Sequence, residues 1–138
     1  IDYDSLTAAG AMMGSGGFIV LDEDQCIVKN TYTLARFYRH ESCGQCSPCR
    51  EGTGWMEKIL KNIDTGKGKM SDIDLLWDIQ RKIEGNTICP LGDAAAWPVA
   101  AAIRHFRDEF EWHVNHPEEA QKRNYGLAHY ADPIHVPA

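Results

Sequence analysis

Three cysteines separated by two residues each are the most chemically suggestive feature of this sequence. Cys43, Cys46 and Cys49 lie within the segment Glu41–Arg50, and Cys89 follows 40 positions after the last of them. Thiols at this spacing can converge on three corners of one small object, and a remote thiol can reach the fourth corner. The spacing therefore predicts a cubane 4Fe–4S cluster bound by Cys43, Cys46, Cys49 and Cys89.

Neighbouring residues are expected to shape the cysteine loop. Gly44 lets the backbone turn tightly, and Pro48 is expected to keep Cys49 outside the helix that follows. The guanidinium of Arg50 and the N–H groups at a helix start would favour an anionic cluster. Four protein thiolates leave no open coordination position, so an electron carrier is expected rather than a catalytic cluster.

Two other interpretations of the four cysteines remain open. Structural zinc is the nearest competitor, although zinc prefers two separated pairs of ligands. The other interpretation is four buried or idle thiols. The chain has five cysteines, and its first residues do not resemble a signal peptide, so clustered cysteines are expected to bind metal rather than form disulfides. Cys26, the fifth, is expected to be a buried structural thiol.

Four stripes of apolar residues with a helical period follow one another along residues 24–114. The first three helices are predicted to begin at Asp24, near Arg50 and at Ser71, where Asp24 is the N-cap and Ser71 opens a capping box with Asp74. They are predicted to end near Glu41, Gly66 and Gly85. The buried faces of the second and third include Trp55 and Leu75. The fourth stripe contains Val99, Ile103, Phe106 and Phe110.

The position of Pro98 bears on where the fourth helix begins. Proline fits the first helical turn, so Pro98 is expected there, or at a kink if the helix begins as early as Asp93. Four amphipathic helices with short connections predict an antiparallel four-helix bundle. The three-cysteine loop joins the first two helices and Cys89 precedes the fourth, which would place the cluster at one end of the bundle.

The flanking segments are predicted to differ from the helical region of residues 24–114. In residues 1–23, a glycine-rich turn precedes Phe18–Leu21, which is typical of one buried strand. One strand cannot form a sheet alone, so this segment is interpreted as the end of a preceding β-containing domain. Residues 115–138 contain three prolines and no sustained stripe, and an extended tail on a surface is expected there.

Composition excludes several classes of function. The 138 residues are 43% hydrophobic and 25% charged, as in globular proteins, and contain no apolar run long enough for a membrane-spanning helix. The formal net charge of −6 disfavours nucleic-acid binding, which needs a concentrated positive patch. The glycines of residues 14–17 are interpreted as a turn rather than a phosphate loop, because they precede the strand. Solvated positions are expected for His105, His113, His116, Asp22, Asp24, Glu118 and Glu119.

Several segments together resemble a known family. The chain is similar to the C-terminal region of the flavin-carrying, NADH-oxidising subunit of respiratory complex I, which is the F-type subunit of NADH-quinone oxidoreductases. The similarity lies in residues 14–20, 41–55, 89–93 and 104–110. The resemblance covers roughly residues 1–112. It implies that the four cysteines bind a 4Fe–4S cluster at the end of a four-helix bundle, and that residues 1–23 end a ubiquitin-like (β-grasp) domain. In the family, the cluster receives electrons from FMN, which NADH reduces, and passes them to clusters in neighbouring peripheral-arm subunits.

The resemblance omits one part of the family pattern. The family's FMN and NADH site lies in an N-terminal α/β domain with Gly-rich loops, and nothing in these residues resembles it. The chain alone is therefore expected to relay electrons but not to oxidise NADH, as the end of a longer subunit at the cytoplasmic side of a membrane.

Two alternative functions remain. One is the equivalent subunit of an NAD-linked hydrogenase or formate dehydrogenase. The absence of cysteines after Cys89 counts against an electron-bifurcating hydrogenase, whose subunit often has further cysteine clusters after the bundle, and so favours the respiratory enzyme over that type. The other is a zinc-stapled helical interaction module without a redox role.

Overall fold

The protein is mainly helical, as predicted. The computed structural model describes residues 2–22 and 24–123, and these contain no strand. The helices are α1 (Tyr3–Ala8), α2 (Ile27–Glu41), α3 (Ser47–Asp64), α4 (Met70–Ile83), α5 (Leu91–Asn115) and α6 (Pro117–Arg123). Helix α2 packs against α3 and α5, α4 packs against α3 and α5, and α3 also contacts α5. Within the described residues, no helix is both long and apolar enough to cross a membrane.

The apolar faces of α2 to α5 form one core. Its largest fully buried apolar side chains are Val28, Met56, Leu60, Ile63, Ile73, Leu76, Ile83, Val99 and Phe110. Two ion pairs join α2 to α3 at the margin of this core. Lys29 Nζ lies 3.1 Å from Asp64 Oδ2, and the Arg39 guanidinium binds the Glu57 carboxylate. The helices that carry the cysteine loops are therefore fixed to one another by burial along their length.

The observed helix starts differ from the predicted ones. Cys26, rather than Asp24, is the N-cap of α2, and its sulfur accepts from Lys29 N–H at 3.4 Å. Helix α4 begins one residue before Ser71. Its start is capped by Asp72, whose carboxylate accepts from Lys69 N–H at 2.9 Å. Both helix starts were assigned wrongly for the same reason. Several polar residues precede each apolar stripe, and the N-cap is identified only by which of them accepts a hydrogen bond from a backbone N–H of the first helical turn.

Two large side chains that the stripes placed in the core lie outside it. Trp55 is 53% exposed and Leu75 is 45% exposed. Gly52 and Met56 are buried on the inner face of α3 instead. The apolar stripe is wider than the face that the neighbouring helices cover, so its edge residues line an open surface groove between α3 and α4.

The long helix α5 also departs from expectation. It begins at Leu91 and contains Pro98 in its interior, but the residue with non-helical dihedral angles is Phe106, at φ −135° and ψ 31°. The prediction that Phe106 is buried is wrong, because this break turns its side chain outward to 44% exposure. Phe110, one turn beyond the break, is fully buried.

Both flanking segments differ from their predicted conformations. Phe18–Leu21 is not a strand, and Val20 is 91% exposed, because the described part of the chain contains no strand that could pair with it. In the predicted extended tail, Pro117–Arg123 instead form α6, whose Gln121 Nε2 donates to Thr65 O at 2.7 Å. The rest of the predicted tail, residues 124–138, lies outside the described residues.

Substitution of Gly66 by alanine should destabilise the protein more than the same change at Gly85. Both glycines follow a helix with φ +71°, so each variant loses about 1 kcal/mol from left-handed backbone. A Cβ on Gly66 would also lie 2.6 Å from Pro117 Cβ, whereas nothing lies within 4 Å at Gly85. We expect Gly66→Ala to lose a further 1–3 kcal/mol or so, measured by urea unfolding. Equal losses would contradict the packing of α6 against this turn.

Candidate metal centre

The four predicted cluster ligands come together at one end of the helices. Cys43 lies in the loop after α2, Cys46 is the N-cap of α3, Cys49 lies in the first turn of α3, and Cys89 precedes α5. All four line a single cavity of about 150 Å³. Its other lining residues are Glu41, Ser42, Gln45, Thr87 and Leu91. The fold thus brings the remote cysteine to the three-cysteine loop.

The backbone of the three-cysteine loop is held in a tight turn. Gly44 has φ +76°, and its carbonyl accepts from Arg50 Nη1 at 3.0 Å. Its N–H donates to Ser42 Oγ at 3.3 Å. The predicted role of Pro48 is wrong, because α3 already begins at Ser47 and includes Cys49. Proline is tolerated there since the N–H groups of the first helical turn have no partner within the helix.

The sulfur atoms of two cysteines receive polar contacts. Ile88 N–H donates to Cys46 Sγ at 3.4 Å, which links the loop before α5 to the three-cysteine loop. Ser42 Oγ lies 3.2 Å from Cys49 Sγ. The cavity also adjoins the N-terminal ends of α3 and α5, where helix dipoles favour negative charge. These groups would stabilise thiolates and any anionic group bound between them.

No three of the four cavity sulfur atoms lie as close together as the ligands of one zinc ion. Tetrahedral zinc with Zn–S bonds of about 2.3 Å holds its sulfur atoms about 3.8 Å apart. Among residues 2–22 and 24–123, the only set with three ligand atoms all within 4.8 Å of one another is Cys26, Glu109 and His113. The four cysteines that line the cavity therefore include no such set.

The five thiols should differ in reactivity once chelators have removed all metal. Cys43 and Cys89 are exposed, whereas burial raises the pKa of Cys26 to about 11. At pH 8 roughly one Cys26 thiol in a thousand is then ionised, and the thiolate is the nucleophile. We expect iodoacetamide to label Cys43 and Cys89 first and Cys26 last, as read by peptide mass spectrometry. In denaturant the difference should vanish, and rapid labelling of Cys26 in the folded chain would contradict its burial.

A second group of metal-ligating side chains was not predicted. His113, expected to face solvent, is fully buried, and its Nε2 lies 3.1 Å from Cys26 Sγ. Glu109, one turn before His113 on α5, accepts from Ile27 N–H at 3.0 Å. Cys26 is buried as predicted. The sequence signal for this group is weak, because 87 positions separate the cysteine from the histidine; the spacing of Glu109 and His113 on one helix face is the only local indication.

The remaining candidate residues are exposed as predicted. His105 and His116 lie on the surface, as do Asp22, Asp24, Glu118 and Glu119. The glycines of residues 14–17 are also exposed and precede no helix, so they lack the arrangement of a phosphate loop.

Comparison with known proteins gives consistent matches. The model of the NADH-ubiquinone oxidoreductase-F iron-sulfur binding region matches residues 29–113. The F-type subunit of the NADH-quinone oxidoreductase of Rickettsia bellii is 53% identical over 80% of this chain and 27% of its own length. The corresponding NADH-quinone oxidoreductase subunit of Rhizobium meliloti is 47% identical over 83% of this chain and 26% of its own length. The chain thus spans about a quarter of the length of these curated relatives.

A solved structure is also similar. An NAD⁺-reducing [NiFe]-hydrogenase, in its H2-reduced state, aligns with a TM-score of 0.66 and 30% identity. The alignment covers 83% of this chain and 21% of the hydrogenase chain.

Proposed function

Because the chain belongs to the family of the NADH-ubiquinone oxidoreductase-F iron–sulfur binding region, we propose that it relays electrons through one 4Fe–4S cluster. Cys43, Cys46, Cys49 and Cys89 are the proposed ligands. The observation that carries this proposal is that all four line one cavity although Cys89 is 40 positions distant in sequence. No other cysteine of the chain lines that cavity, since Cys26 lies at the far end of α2.

The donor set of the cavity fits the cluster. Thiolates are the usual ligands of 4Fe–4S clusters, and four of them occupy every corner iron. The cluster would supply a site for a single electron, while the protein sets the affinity for that electron. Ile88 N–H and Ser42 Oγ, which contact two of the sulfurs, would stabilise the added negative charge. With no corner left for a substrate, the centre is suited to transfer rather than chemistry.

The surroundings proposed for the cluster follow from the family and the packing. Mutual contacts among α2, α3, α4 and α5 support a four-helix bundle, with the cluster at the end where α3 and α5 begin. Residues 1–23 would complete a β-grasp domain, which accords with the exposure of the apolar run Phe18–Leu21. The exposed run would then be covered by strands from the part of the subunit beyond this chain.

The activity of the whole subunit is proposed to be NADH oxidation within an NADH:quinone oxidoreductase. FMN and NADH would bind the part of the full-length subunit that the chain does not span, since the chain covers 27% of its relative. Electrons would pass from FMN through this cluster to iron–sulfur subunits of the peripheral arm, at the cytoplasmic side of the membrane.

A second candidate function is supported by the structural similarity. The NAD⁺-reducing hydrogenase aligns with this chain at 30% identity. The same cluster would then carry electrons from hydrogen oxidation to NAD⁺ in a hydrogenase complex. The two assignments differ in both the electron donor and the electron acceptor. The intact complex should reduce a quinone with NADH under the first, and should reduce NAD⁺ with H2 under the second.

Anaerobic reconstitution of the 138-residue chain tests the cluster directly. We expect a brown protein with about four iron and four sulfide per chain, and an S = 1/2 EPR signal after reduction by dithionite. A folded, colourless chain that takes no iron and binds one zinc through the four cavity cysteines would overturn the proposal in favour of a zinc-stapled module.

A further inference from the structure

The end of the helical core opposite the cysteine cavity contains a second set of ligating side chains. Cys26 caps the start of α2, while Glu109 and His113 lie one turn apart near the end of α5. One ligand atom from each lies within 4.8 Å of the other two. Helix α2 has 15 residues, so about 22 Å of helix separates this group from the cysteine loop at its other end.

The chemistry of the three groups is complementary to a divalent ion. Thiolate sulfur, imidazole nitrogen and carboxylate oxygen are the ligands that zinc takes in proteins. One thiolate and one carboxylate together neutralise a dication, so the loaded site would carry no net charge. Charge neutrality is important at this site because the ligands are buried: Cys26 is 3% exposed and His113 is 0% exposed. An uncompensated charge at such positions costs free energy.

We propose that Cys26 Sγ, His113 Nε2 and the Glu109 carboxylate form a mononuclear Zn²⁺ site, distinct from the cysteine cavity, with water as the fourth ligand. Binding replaces the thiol proton of Cys26 by the metal and releases that proton to solvent. The imidazole binds through the Nε2 lone pair of its neutral form, and the carboxylate binds through one oxygen. No oxidation or reduction takes place in this exchange.

The observed distances require only a small rearrangement. Zn–S and Zn–N bonds of about 2.3 and 2.05 Å at a tetrahedral angle hold the two atoms about 3.5 Å apart. Cys26 Sγ and His113 Nε2 are 3.1 Å apart, so they need to separate by a few tenths of an ångström. The same groups form a hydrogen-bonded contact without metal, and that metal-free contact is the alternative which the experiment must exclude.

Backbone contacts already orient two of the ligands. Lys29 N–H donates to Cys26 Sγ, which favours the thiolate at the positive end of α2. Ile27 N–H donates to Glu109 Oε1 and leaves the second carboxylate oxygen for the metal. Such outer contacts fix the ligand geometry of metal sites. The bound ion would join the start of α2 to the end of α5 independently of the cluster.

Zinc K-edge X-ray absorption of the full chain tests this site. The chain is reconstituted anaerobically with iron and sulfide and then given one equivalent of Zn²⁺. We expect about one zinc per chain after desalting, with one sulfur neighbour near 2.3 Å and the remaining neighbours nitrogen or oxygen near 2.0–2.1 Å. Retention of no zinc, or a shell dominated by sulfur, would overturn the proposal, since a sulfur-rich shell places the ion among the cavity cysteines.

Two variants assign the ligands. Cys26→Ser should abolish zinc retention while keeping the iron, and His113→Gln provides a second ligand loss if serine at position 26 disturbs folding. Cys46→Ser should lose iron but keep zinc with its single sulfur neighbour. Iron is measured in the same samples, so failure of the zinc site is distinguishable from failure of the cluster. Zinc retained equally in wild type, Cys26→Ser and His113→Gln would refute the assignment.

Discussion

Replacement of Cys46 by serine is expected to reduce the iron of the reconstituted chain from about four atoms to well below one, with loss of the reduced-state EPR signal. Cys46 is the cysteine through which the two cysteine-bearing segments make contact. It caps α3, and its sulfur accepts from Ile88 N–H in the loop that contains Cys89. A serine oxygen is a poor substitute for thiolate on iron, and no spare thiol lines the cavity.

Cys26→Ser is the matched control for this loss of iron. It is the same substitution at a cysteine that lies at the opposite end of α2, outside the cavity. The control should keep about four iron atoms and an unchanged EPR signal. Full iron content in Cys46→Ser, or bleaching of Cys26→Ser, would show that the ligands are assigned wrongly. Because cluster binding also stabilises the fold, the Cys46→Ser chain should unfold at lower denaturant concentration.

The sequence was sufficient to predict which cysteines gather around the cavity. Three of them are held within seven residues, so local backbone geometry alone brings them together. Cys89 could be added because the predicted helix order places the loop before α5 beside the loop after α2. The grouping of the three cysteines and the placement of Cys89 depend on the number of residues between them and on the direction in which each helix runs. Both can be obtained from the sequence without knowing how the side chains pack.

The group of Cys26, Glu109 and His113 could not be predicted in the same way. Its members meet only because α2 and α5 pack with a particular axial register. A shift of either helix by one turn would move the ligands about 5.4 Å apart along the axis. Hydrophobic periodicity defines the buried face of a helix but leaves this axial register open, so the histidine appeared to be a surface residue.

The conformation of α5 shows a similar limit. Periodicity placed Phe106 and Phe110 in one stripe, and that inference assumes continuous helical geometry. The break at Phe106 rotates the helix so that only Phe110 enters the core. No proline or glycine marks the break in the sequence, and Pro98, the residue expected to cause one, lies two turns earlier within the helix. The break therefore has no proline or glycine signal in the sequence from which it could be predicted.

This difference predicts unequal effects for two identical substitutions on the same helix. Phe110→Ala should lower the free energy of unfolding by about 3–5 kcal/mol, because it removes a fully buried ring and leaves a cavity in the core. Phe106→Ala should lower it by only about 1 kcal/mol, since that ring is already 44% exposed. Urea unfolding of both variants, reconstituted to the same metal content as wild type, measures the two values.

The difference between the two unfolding free energies distinguishes the observed, broken α5 from the continuous helix that the sequence predicts. An unbroken helix would bury both rings, and the two substitutions would then destabilise the protein to a similar extent. Phe110 also lies between Glu109 and His113 in sequence, so its substitution should disturb the end of α5 that faces Cys26. Phe110→Ala should therefore weaken zinc retention as well as stability, whereas Phe106→Ala should leave zinc retention unchanged.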